Sequence, residues 1–235
     1  MWRLAAVGLG VFVFALSGTP SAQAPRYSPP RLTQAELPGD AGPMTIGGGE
    51  VMIEFIVDGR GLVTRPAVVR STPPYTEMVL ASLSRWRFLP ARAVDEFGSE
   101  RAVEMPVTVS ALYRPPTFYN GPTLGEPPRD VGKLSGDVAY PLSLVPPPYP
   151  PRAFSGSMVL YEIALNDTGG VLDARGFAPL GGFESAARES LSQMTFRGAT
   201  YRARPVPSVT YVLFGFRQPL SFGPAAPTPP QPTPR

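Results

Sequence analysis

Three aspartates, a lysine–serine pair and an arginine-flanked tryptophan are the residues of this 235-residue chain whose types could do chemistry. Asp58, Asp167 and Asp173 would have to meet as a carboxylate set to exchange protons with a substrate. They fall in turns or strands of different halves of the sequence, so solvated turn residues are the simpler reading. Lys133 and Ser135 have the types of a Ser/Lys nucleophile pair, but they lie in a Pro/Gly-rich stretch with no periodic element to hold them. Asn166-Asp167-Thr168 has the form of a glycosylation acceptor, and as a hairpin turn it needs no further role. Arg85 and Arg87 flank Trp86; arginine at a helix end is favoured by the helix dipole, so a solvated terminus accounts for both. With 0 Cys and 0 His, cysteine nucleophiles, disulfides, Cys/His metal sites and histidine acid–base chemistry are excluded. No catalytic residue, metal or cofactor is expected, and the chain is not expected to be an enzyme.

Charge and composition narrow the partners. Lys and Arg total 21 against 18 acids, a net charge of +3. No basic run stands out, which argues against a nucleic-acid partner. Hydrophobic content of 43% is enough for a packed core, while 32 Pro and 24 Gly call for long turns or linkers. Residues 1–24 read as a signal peptide: Arg3, an apolar run from Leu4 to Leu16, and Ala22-Gln23-Ala24 as the cleavage site. Cleavage after Ala24 would give an exported protein. Membrane contact would then be peripheral, or through the N-terminal segment if it is retained as an anchor.

The elements that must position these residues come from periodicity. Residues 25–48 form a Pro/Gly-rich lead-in. Val51, Ile53, Phe55 and Val57 alternate on one strand face, with Glu54 opposite. Asp58-Gly59-Arg60-Gly61 makes a turn into a second strand, where Pro66 signals an edge or a bulge. Ser71-Thr72-Pro73-Pro74 starts a helix whose stripe is Tyr75, Met78, Val79, Ser82, Leu83 and Trp86. Phe88 and Pro90 follow, then a loop with Gly98 and a third strand at Ala102–Val109. The same pattern returns 108 residues later: Val159, Tyr161, Ile163 and Leu165, then Gly169, then Phe183, Leu191, Met194 and Phe196. Many apolar matches at one spacing indicate a duplication. The last strand, Val206–Phe216, is apolar on both faces.

The expected fold is α+β: two tandem β-β-α-β modules, each with one helix on a short three-stranded antiparallel sheet, joined by Pro-rich linkers. The first spans 49–113, a linker follows at 114–140, the second spans 141–218, and 219–235 is a Pro-rich tail. Leu83, Trp86, Phe88 and Pro90 in the first module, and Phe183, Leu191 and Phe196 in the second, are the expected core.

A β-β-α-β unit whose helix ends in Trp86-Arg87-Phe88-Leu89-Pro90-Ala91 resembles the C-terminal domain of TonB and its relatives. The second half matches with Tyr149-Pro150, the Asn166–Gly170 turn, Phe196, Ala199 and Pro205-Val206. That resemblance implies a periplasmic protein- or peptide-binding function, in which an extended segment of an outer-membrane transporter adds as a strand to the sheet. Carried over by position, the binding edge is the last strand, with Val206, Val209, Tyr211 and Leu213, and the lead-in residues Tyr149, Pro150 and Arg152 are a second contact. An energy transducer of the family keeps an N-terminal anchor bearing a histidine, which this chain lacks. The alternatives are an envelope scaffold whose modules pair with each other, which requires the last-strand edges to be covered, and an anchored energy transducer if the N-terminal segment is not cleaved. Oligomeric state is left open by these residues.

Overall fold

The computed structural model describes residues 27–39, 47–95, 97–114, 134–150, 156–177 and 181–217. The signal segment, Lys133, Arg152 and the Pro-rich tail lie outside the described residues. The first half contributes β1 (Tyr27–Ser28), β2 (Arg31–Gln34), β3 (Gly49–Val57), β4 (Val63–Arg70), α1 (Tyr75–Leu83), β5 (Arg87–Leu89), β6 (Ala91–Val94), β7 (Glu100–Val103) and β8 (Met105–Arg114). The second contributes β9 (Tyr140–Pro141), β10 (Ser157–Leu165), β11 (Val171–Phe177), α2 (Glu184–Ser192), β12 (Phe196–Arg197), β13 (Ala199–Tyr201), β14 (Arg204–Val206) and β15 (Ser208–Phe216).

These elements do not make two small β-β-α-β modules. The protein is mostly β, and both halves share one six-stranded mixed sheet in the order β11-β10-β15-β8-β3-β4. The junction is a parallel pairing of the two last strands, from Tyr211 opposite Val109 to Phe216 opposite Arg114. The physical reason lies in β15 itself. Val209, Tyr211 and Leu213 are buried on one face, and Val212, Phe214 and Phe216 on the other. A strand apolar on both faces needs cover on both, which one helix on a three-stranded sheet does not give.

The two helices supply that cover from opposite sides. Tyr75, Val79 and Leu83 of α1 share a core with Val51, Ile53, Phe55 and Val57 of β3. Ala186, Ala187 and Leu191 of α2 share another with Val159, Tyr161, Ile163 and Leu165 of β10. Alternate residues of β15 enter the two cores, so the cores lie on opposite faces of the sheet.

Two further differences concern α1 and the loop after it. The helix closes at Leu83, and the chain tightens through Arg85 N–H to Ser82 O and Trp86 N–H to Leu83 O, each 3.0 Å. Trp86 thus sits just beyond the helix, with Phe88 on β5. The expected loop around Gly98 is instead an antiparallel hairpin, β6 with β7, and the third strand begins at Met105 rather than Ala102.

Matching turns recur at the repeat spacing. Asp58 Oδ1 accepts from the N–H groups of Arg60 and Leu62, and Asn166 Oδ1 accepts from those of Thr168 and Gly170. The Leu62 bond, the largest cause, holds the Asp58 carboxyl below its ordinary value. Each turn needs a left-handed glycine, Gly61 (φ 80°) and Gly169 (φ 89°), packed on the backbone of Phe88 or Phe196. Gly98 shares that φ but faces open space. Gly98→Ala should cost about 1–2 kcal/mol from backbone strain alone. Gly61→Ala should cost more, because its Cβ also displaces the Phe88 carbonyl; paired urea melts measure the difference.

Candidate functional site

The residues expected to line a binding edge are interior. Val209, Tyr211 and Leu213 lie on β15, which pairs with β10 on one side (Tyr211 opposite Glu162) and β8 on the other. From Tyr211 to Phe216 both rows of β15 backbone groups face neighbouring strands, and Val209 is buried and paired with β10, so this stretch offers no edge for an added strand. Val206 closes the β13–β14 hairpin and is buried. The corresponding first-half strand, β8, is likewise held between β3 and β15.

Tyr149 packs edge-on against Phe183 (6.0 Å) and Phe216 (6.1 Å), and Pro150 beside it is half-buried. Leu83, Trp86, Phe88, Phe183, Leu191 and Phe196 are all buried, and Pro90 is half-buried. Arg85 pairs with Glu36, and Arg87 donates to the carbonyls of Ser84 and Trp86, so both arginines serve the end of α1.

The sheet's outer strands are β4 and β11, and they differ. On β4, Arg65 has φ 49°, Pro66 follows, and the register with β3 shifts twice. Proline and bulges are the devices that block strand addition. On β11 one irregularity precedes Asp173, and from Asp173 to Phe177 the register with β10 is unbroken. The Ala174 N–H is bonded by the adjacent Asp173 carboxylate at 2.8 Å, so it points away from β10 toward the open side. Alternation then turns the N–H of Gly176 the same way. Val171 and Leu172 are exposed beside this edge, at 50% and 66%.

Sequence reasoning also missed a pair of buried glutamates that share the repeat spacing. Glu54 and Glu162 stand 108 residues apart, each on the sheet face away from its own half's helix. Glu162 Oε2 accepts from Leu32 N–H and from Tyr211 Oη, both at 2.8 Å. Arg175 of β11 bonds Leu32 O at 2.8 Å and approaches Glu162 at 3.8 Å. Glu54 Oε2 accepts from Ser135 N–H at 2.8 Å. Each glutamate therefore holds the lead-in of the other half. Burial first, then the Glu162 charge, keep the Tyr211 phenol well above its ordinary pKa, so it remains the donor. Identical spacing of Glu within two alternating strands was the signal for this pair.

A scan against protein-family models finds no match, and neither do searches of curated proteins and of solved structures. Among the described residues, no group of three or more His, Cys, Asp or Glu is placed to hold a metal ion, and no helix is long and apolar enough to cross a membrane. Asp58 and Asp173 serve backbone N–H groups of their own turn and strand. What the arrangement offers chemically is an accessible row of backbone donors and acceptors on β11, flanked by apolar side chains.

Proposed function

We propose that the protein is a periplasmic, TonB-like protein-binding scaffold that accepts an extended segment of an envelope partner as an added strand on β11. No catalytic role is proposed. The observation that carries this reading is the contrast between the two outer strands: β4 is bulged and proline-blocked, and β11 keeps regular register from Asp173 to Phe177 with an outward N–H. Mutual pairing of the last strands favours the scaffold side of the reading, since the halves hold each other and leave a different edge for partners. Backbone bonding would give affinity, and Val171 and Leu172 would supply side-chain selectivity. An outer-membrane transporter segment is the proposed partner class, on the resemblance of Trp86–Ala91 and its surroundings to TonB-type domains.

Titration of labelled protein with synthetic peptides copied from transporter N-terminal segments tests this. Amide shifts should centre on residues 171–177. Ala174→Pro removes one outward donor on a strand where proline is tolerated, and it should weaken binding about tenfold, the equivalent of roughly 1.4 kcal/mol. Shifts on β15, or none on β11 with any peptide, would count against the proposal.

A further inference from the structure

The β11 edge has a sequence that matches itself in reverse. Read antiparallel about Ala174, Asp173 stands opposite Arg175 of a second chain, and Arg175 opposite its Asp173. Backbone geometry agrees with this register. The Ala174 N–H faces outward, so Ala174 and its copy would form a hydrogen-bonded pair. The flanking Asp173–Arg175 pairs would then be non-hydrogen-bonded pairs, in which side chains approach most closely.

Charge placement adds a second argument. Asp173 and Arg175 are both exposed, Arg175 while one of its nitrogens donates to Leu32 O, and as alternate residues they share a face of the strand. A two-fold axis perpendicular to the sheet keeps faces matched, so both ion pairs would form together on one side. The carboxylate of Asp173 now satisfies the Ala174 N–H; on pairing, a carbonyl of the second chain would take that donor and free the carboxylate for arginine.

We infer that β11 is a self-recognition edge, through which two copies of this chain join antiparallel about Ala174 into one continuous sheet. The inference rests on β11 being open to strand addition, and it names a second copy as the occupant that competes with a partner segment. A protein with no cysteine gives a clean reporter. In an antiparallel hydrogen-bonded pair the Cα atoms lie about 5.5 Å apart, within disulfide reach. Under mild oxidation, Ala174→Cys should cross-link the purified protein to a dimer, while Ala67→Cys on the blocked β4 edge should not. Sedimentation velocity of the unmodified protein should show a concentration-dependent dimer that weakens in high salt. Asp173→Lys, which sets lysine against arginine, should shift it to monomer with an unchanged circular dichroism spectrum. A monomer at every concentration, or equal cross-linking at 67 and 174, overturns the inference. If such a monomer still shows β11 amide shifts with transporter peptides, only self-pairing falls; if those shifts are absent too, the strand-addition reading falls with it.

Discussion

Replacing Trp86 with alanine should destabilise both halves of the protein together, by about 3–5 kcal/mol. Trp86 is fully buried and meets Phe55 edge-on at 6.4 Å and Phe88 at 6.3 Å. Its closest aromatic neighbour, at 5.5 Å, is Tyr211 from the second half, and its indole N–H donates to Glu36 O at 2.9 Å. Removing the ring opens a cavity between α1, β3 and β15 and leaves the Glu36 carbonyl without its donor. Domains of this size hold about 5–15 kcal/mol in total, so the loss is a large share. Because β15 lies under the cavity, amide signals from both halves should disappear in one transition on urea titration. Early loss confined to the first half would mean that the halves are energetically separate.

Glu162→Ala should cost about 2–4 kcal/mol. The substitution leaves Leu32 N–H and Tyr211 Oη without their acceptor, and each buried donor so orphaned costs about 1–3 kcal/mol. Glu162→Gln keeps an acceptor oxygen and should cost less. The effect should also be local in a recognisable way. Amide exchange at Leu32 should accelerate in Glu162→Ala, whereas Glu54→Ala should release Ser135 instead. Equal acceleration at both sites in either variant would contradict separate holds on the two lead-ins.

The strand faces, the α1 stripe and the repeat at a spacing of 108 were legible in the sequence because alternation and helical spacing are local properties. Trp86, Phe88, Phe183, Leu191 and Phe196 were legible as core for the same reason. The joining of the halves was not read, although its mark was present. The two apolar faces of Val209–Phe216 are the pattern of a central strand, and likeness to a family that binds through its last strand led to an edge being placed there. The hairpin at Ala91–Val103 was hidden by short, charged strands with weak alternation. Glu54 read as the solvent face because polar residues opposite an apolar stripe usually are; its burial depends on Ser135, which arrives from the other half. Choosing β11 over β4 needed the positive φ of Arg65 and the direction of one N–H, neither of which periodicity encodes.

Native-state hydrogen exchange on β11 and β15 tests the joined sheet and its open edge most directly. The expected result is that β15 amides from Val209 to Leu213 are among the slowest, exchange only on global unfolding, and ignore an added transporter peptide. At concentrations low enough to keep the protein monomeric, the outward amides of Ala174 and Gly176 should exchange rapidly and slow when the peptide is present. Fast exchange along β15 that the peptide slows, with no change on β11, would contradict both the central placement of β15 and the assignment of β11 as the docking edge.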